Sequence, residues 1–164
     1  MPHYRSNLRD LQFNLFELFD VDEVLASGEF GDLDHDTVEE MLREVTALAE
    51  GPLAEPYAFL DRNPPVFHAE SHTVTVPEEC KKVVRILEES GWQFVGLQPE
   101  VGGVPVPSTV RWAIGELLLG AQSTAYTYVS GASFAQVLYN NGTDEQKEWA
   151  KVIAERGWCA TMVL

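Results

Sequence analysis

Positive charge is what this sequence has least of. Eleven Lys and Arg face 26 Asp and Glu, for a formal net charge of −15. Nucleic acids and anionic membranes are held through clustered Lys and Arg, so this composition argues against both as partners. It does not in turn select a cationic substrate, because a diffuse acidic surface serves solubility. Cysteine is nearly absent. Cys80 and Cys159 are far apart and form no CxxC pair, and they read as reduced structural thiols of a cytoplasmic protein. No apolar run approaches the roughly 18 residues that a membrane-spanning helix requires. No basic stretch followed by an apolar core opens the chain, which argues against a signal peptide. Internal repeats and low-complexity tracts are missing as well.

What is present is helical patterning. A chain of 164 residues can bury one core without metal or disulfide staples. Ser6 or Asn7 fits the cap of a first helix, with Leu8, Leu11, Leu15, Phe16, Leu18 and Phe19 in a broad stripe. With Phe13 this helix is aromatic for a surface element, which suits either packing onto the protein's own core or an oligomer contact. A short helix over 21–26 ends at Gly28. Asp36 and Glu39 fit the capping box of a helix carrying Val38, Met41, Leu42, Val45 and Leu48. Gly51-Pro52 predicts a kink, and a further segment over 53–60 stops at Asn63-Pro64-Pro65. His68, Glu70 and His72 fall in a loop rather than on one helix face, which disfavours a metal site. Residues 72–76 alternate like a short strand or hairpin arm. Pro77 opens a helix that buries Cys80, Val83, Val84 and Leu87. Lys81, Lys82 and Arg85 form its solvated face.

Ser90-Gly91 ends that helix, and a loop with Trp92, Phe94, Val95 and Leu97 turned inward runs to Gly102-Gly103. Ser108 caps the next helix, whose apolar side holds Val110, Ala113, Ile114, Leu117 and Leu118, widened by Trp112; Gly120 and Ser123 predict a bend. From Thr124 to Tyr139 a helix is expected that is rich in small residues: Ala125, Ser130, Gly131, Ala132, Ser133 and Ala135. Glycine and serine inside a helix cost up to roughly 1 kcal/mol each relative to alanine. Close approach of another helix or of a ligand must offset that cost. Asn140-Asn141-Gly142 ends the helix. Thr143 and Gln146 fit a capping box, Trp149, Val152 and Ile153 recur at helical spacing, and Gly157 suits the helix end. Residues 158–164 favour a strand that has no partner in the sequence. The expectation is a chain cut where a helical domain passes into a β domain.

This succession of turn, Gly-Thr-Asp-Glu-Gln-Lys, helix, glycine turn and apolar strand resembles the end of the N-terminal helical domain of acyl-CoA dehydrogenases. Pro99-Glu100-Val101-Gly102-Gly103 is similar to that family's P-E-x-G-G loop, with Val101 where an aromatic is usual. The segment from Tyr4 through Pro65 resembles the extension of a bacterial long-chain subgroup. The resemblance implies an all-α fold: an antiparallel bundle of about six helices, with the final residues starting the β domain. Residues 1–65 would be the extension and first helices, 66–157 the helical domain, and 158–164 the first strand of the middle β domain.

For function, the resemblance implies the N-terminal part of an FAD-dependent dehydrogenase of fatty acid β-oxidation, acting on a long-chain fatty acyl-CoA. Counting back from Gly142, Tyr126, Val129, Ser130 and Ser133 take the family's positions facing the acyl pocket. Met162 and Leu164 take its flavin-contact positions. The family's catalytic Glu comes from a C-terminal helical domain, so no catalytic residue is expected in this chain, and Glu100 and Glu116 match nothing in that role. The implied partners are the fatty acyl-CoA, an electron-transfer flavoprotein, the remainder of a parent chain, and further copies in a homodimer or homotetramer. The net charge lends no support here, since acyl-CoA is itself polyanionic. Two other readings stay open: a non-catalytic helical interaction or oligomerisation domain, and a related flavoprotein oxidising another carbon acid.

Overall fold

The computed structural model describes residues 3–161. Its described residues form eight α-helices and one small hairpin, where about six helices were expected. The surplus comes from short pieces that turns and kinks separate.

Helix α1, Leu8–Gln12, is capped by the Asn7 side chain, which accepts from the Asp10 N–H. It continues as a wide turn, Phe13–Leu18, closed by Phe19 N–H donating to the Asn14 carbonyl at 2.9 Å. Helix α2, Val21–Leu25, buries Val21 and Leu25. Helix α3, His35–Leu48, places Val38, Leu42 and Val45 one turn apart, and all three are fully buried. Its cap is Asp34, which accepts from the Thr37 N–H, and not the expected Asp36. Asp36 lies inside the first turn, where its carboxylate faces the helix dipole. The kink falls at Gly51, whose ψ of −108° is not helical, just before Pro52. Helix α4, Tyr57–Arg62, ends at Asn63-Pro64-Pro65.

Strands β1, Val66–His68, and β2, Thr73–Thr75, pair antiparallel with Phe67 opposite Val74. All six of their residues are exposed. Helix α5, Glu78–Ser90, buries Cys80, Val83 and Leu87 and stops at Gly91, in the left-handed region at φ +74°. The following loop doubles back on itself: Gly96 N–H donates to the Val104 carbonyl at 2.8 Å, and Val104 N–H to the Phe94 carbonyl at 3.1 Å. Helix α6, Ser108–Tyr128, begins after Pro107, so Ser108 is its first residue rather than its cap. It breaks at Gln122, where φ is −157° and ψ +77°, between the glycine and serine that predict a bend.

The single helix expected over 124–139 is two helices. α6 ends at Tyr128, Val129 and Ser130 turn, and α7 runs Gly131–Asn141. Helix α8, Asp144–Glu155, carries the complete capping box of Thr143 and Gln146. Trp158–Thr161 carry no strand, and residues 162–164 lie outside the described range.

Two apolar clusters hold these elements. The larger joins Leu15 of the wide turn after α1, Val21 of α2, Leu42 of α3, Leu53 at the kink, Leu87 of α5 and Leu117 of α6. The smaller is built by α7, α8 and the loop before α6: Ala132 and Ala135 meet Ala150 and Ala154, with Leu97 and Val101 beside them. Half of the small residues in α7 are therefore spent on a close contact between helices, where alanine lets the backbones approach.

Candidate functional site

The four positions expected to wall an acyl pocket all lie at the junction of α6 and α7. Tyr126 sits in the last turn of α6, partly buried against the larger cluster. Val129 is 7% exposed and occupies the turn, its N–H donating to the Tyr126 carbonyl at 3.2 Å. Ser130 precedes α7 and turns its hydroxyl back to the Thr127 carbonyl at 2.7 Å. Ser133 lies in the first turn of α7, and its Oγ accepts from Arg111 Nη2 at 3.2 Å. Sequence adjacency across a turn brings the four together.

None of the cavities described below is lined by all four. Val129 lines a narrow cleft with Phe94, Ala132, Ile153 and Trp158. Tyr126 and Ser133 lie towards Arg111 instead. Burial pushes the Tyr126 phenol up, and the Arg111 charge partly offsets the shift. The more open cavities lie elsewhere. One of about 290 Å³ is lined by Tyr57, Asp61, Cys80, Gln122, Thr124 and Tyr128. A groove of about 480 Å³ runs between α1 and the start of α6, past Leu11, Phe19 and Trp112.

Arg111 is the residue that sequence reasoning passed over. It follows Val110 in the first turns of α6, and its aliphatic stem packs under Gly96, where a Cβ would overlap it. Its guanidinium reaches Ser133 and lies 5.9 Å from the Trp112 ring centre. A lone arginine among the apolar residues Val110, Trp112, Ala113 and Ile114 was the available signal.

The segment after α8 crosses this junction. At Gly131 a Cβ would overlap the carbonyl oxygen of Trp158, so α7 must start with glycine for residues 158 and 159 to pass over it. The chain then leads towards Met162 and Leu164, the expected flavin positions, which fall outside the described residues. Glu100 and Glu116 are both exposed. His68 Nε2 lies 2.8 Å from Thr75 Oγ1 within the hairpin. Among the described residues no three of His, Cys, Asp and Glu gather as metal ligands, and no helix is long and apolar enough to cross a membrane.

No family model matches the chain. Over its whole length the chain is nevertheless similar to the N-terminal part of an acyl-CoA dehydrogenase. All of its 164 residues align at 54% identity with the broad-specificity linear acyl-CoA dehydrogenase FadE5 of Mycobacterium tuberculosis. The match spans 27% of that relative's length.

Proposed function

We propose that this chain is the N-terminal helical layer of an FAD-dependent acyl-CoA dehydrogenase that oxidises linear fatty acyl-CoA. The observation that carries the reading is 54% identity over an alignment that covers the whole chain, residues 1–65 included. In this reading residues 1–65 are the extension, 66–157 the family's helical domain, and 158–164 the entry into a flavin-bearing β domain. Tyr126, Val129, Ser130 and Ser133 contribute one wall of the acyl pocket, and Met162 and Leu164 contribute flavin contacts. The broad specificity of the relative for linear acyl-CoA favours linear chains of varied length over a strictly long-chain preference.

The chemistry is the α,β-dehydrogenation of a thioester. A carboxylate removes the α-proton, whose acidity rises when hydrogen bonds polarise the thioester carbonyl. A bound flavin would supply the acceptor for the β-hydride. No residue of this chain is assigned to the proton transfer. Its own residues do two things: the α6–α7 junction shapes the apolar space beside the acyl chain, and the segment over Gly131 leads the backbone to the flavin. Electron-transfer flavoprotein as acceptor, a homodimer or homotetramer, and a cytoplasmic location complete the proposal.

Anaerobic titration tests it. A protein carrying this chain should hold flavin with its visible absorbance, and a linear fatty acyl-CoA should bleach that absorbance. A protein that holds no flavin, does not rebind FAD and ignores acyl-CoA would overturn the proposal in favour of a helical interaction domain. Bleaching by a different carbon acid, with none by acyl-CoA, would favour a related flavoprotein instead.

A further inference from the structure

We propose that Arg111 is a specificity-determining residue whose guanidinium anchors an oxyanion between α6 and the start of α7, namely a carboxylate carried by the bound acyl chain. The inference rests on the acyl-pocket reading of Ser133 and Tyr126. Of the eleven Lys and Arg, Arg111 alone is neither exposed nor paired with a carboxylate among the described residues. Arg9, Arg43, Lys81, Lys147 and Lys151 each have an acidic partner, and Arg5, Arg62, Lys82, Arg85 and Arg156 are exposed to water.

A guanidinium stays charged at any physiological pH and carries five N–H donors in a planar fork. Taking it partly out of water is costly unless strong acceptors meet those donors. Here the hydrogen-bond partner is a neutral hydroxyl, that of Ser133 at 3.2 Å. The sequence holds 26 Asp and Glu, and among the described residues none pairs with Arg111 within ion-pair distance. The position is also built. Gly96 clears the room through which the arginine stem passes, and Ser133 fixes the near edge of the fork. The donors left over match the bidentate geometry of a carboxylate. A fatty acyl chain with a terminal carboxylate supplies that group and otherwise keeps the linear apolar body that the wall suits.

The test compares two thioesters of equal chain length, an unsubstituted acyl-CoA and its ω-carboxy counterpart, on the flavin-loaded protein carrying this chain. Calorimetry reads affinity, and anaerobic bleaching reads turnover. The wild type should bind the ω-carboxy thioester within about tenfold of the unsubstituted one, because a charge-assisted hydrogen bond offsets the desolvation of the carboxylate. Arg111→Met should weaken the ω-carboxy thioester by about tenfold or more and change the unsubstituted one by less than about threefold.

Equal weakening of both thioesters would overturn the proposal, since both carry the CoA phosphates and both need an intact fold. Wild-type affinity for the ω-carboxy thioester more than tenfold below that for the unsubstituted one would overturn it as well, and this comparison decides the matter should Arg111→Met not fold. Bleaching by the unsubstituted thioester without binding of the other sinks Arg111 as an anchor and leaves the dehydrogenase reading standing. Failure of both thioesters to bleach counts against the dehydrogenase reading, and the calorimetric comparison then decides Arg111 by itself.

Discussion

Gly131 and Asp34 each have one physical job that a single substitution can expose. Gly131 leaves no room for a methyl group beneath the Trp158 carbonyl. Gly131→Ala should cost about 1–3 kcal/mol through forced displacement, despite the better helix propensity of alanine. Urea unfolding measures it, and an unchanged midpoint would show that the 158–161 segment does not rest on α7. At Asp34, the N–H and hydroxyl of Thr37 both donate to the carboxylate and hold its pKa below the ordinary aspartate value of 3.8. The folded value is the lower one, so the stabilisation is present above the unfolded value and is lost as pH falls through the folded value. Asp34→Asn, which keeps an acceptor but cannot titrate, should flatten the acid limb of a plot of melting temperature against pH. The sequence was ambiguous at this scale. Asp34 and Asp36 both suit a cap, and only the turn of the backbone decides between them. Arg111 was passed over because its lack of an acidic partner is a fact of three dimensions.

The start of helix α8 was legible because its signals are local, whereas its buried face is Ala150 and Ala154 and leaves Trp149 exposed. Thr143, Gln146 and the first-turn acids Asp144 and Glu145 lie within four residues, and the structure closes the capping box through Gln146 N–H to Thr143 Oγ1 and Thr143 N–H to Gln146 Oε1. Thr143→Ala should lower stability by about 0.5–2 kcal/mol, read from the thermal unfolding of far-ultraviolet dichroism. No loss would mean that water replaces the cap. The α6–α7 region was only partly legible. The bend near Gly120 and Ser123 followed from composition, but the break at Val129-Ser130 did not. A small-residue run keeps one helical pattern across that turn, and the turn exists because Ala132 and Ala135 must face α8 while α6 follows the larger cluster.

At the scale of the whole molecule, the helical class followed from periodicity, whereas any site between this layer and another domain needs groups that the chain does not carry. FAD titrated into residues 1–164 alone should therefore bind weakly or not at all, and stoichiometric binding at micromolar concentration would contradict the assignment of the flavin to a neighbouring β domain. The two separate apolar clusters have a further consequence for motion. The larger one ties residues 15 to 129 together with bulky aliphatic side chains, while the buried centre of the α7–α8 cluster is four alanines with Leu97 and Val101, and its larger side chains Phe94, Leu138, Tyr139 and Ile153 are only partly buried. Less fully buried apolar area resists separation there than in the larger cluster, so this helical hairpin should open as a unit while the rest stays folded. Backbone amides of 131–155 should exchange with deuterium together, and faster than those of α3 and the first part of α6. The thermodynamic soft spot of the molecule would then coincide with the wall assigned to the ligand, and an occupant would slow that exchange by holding the hairpin shut.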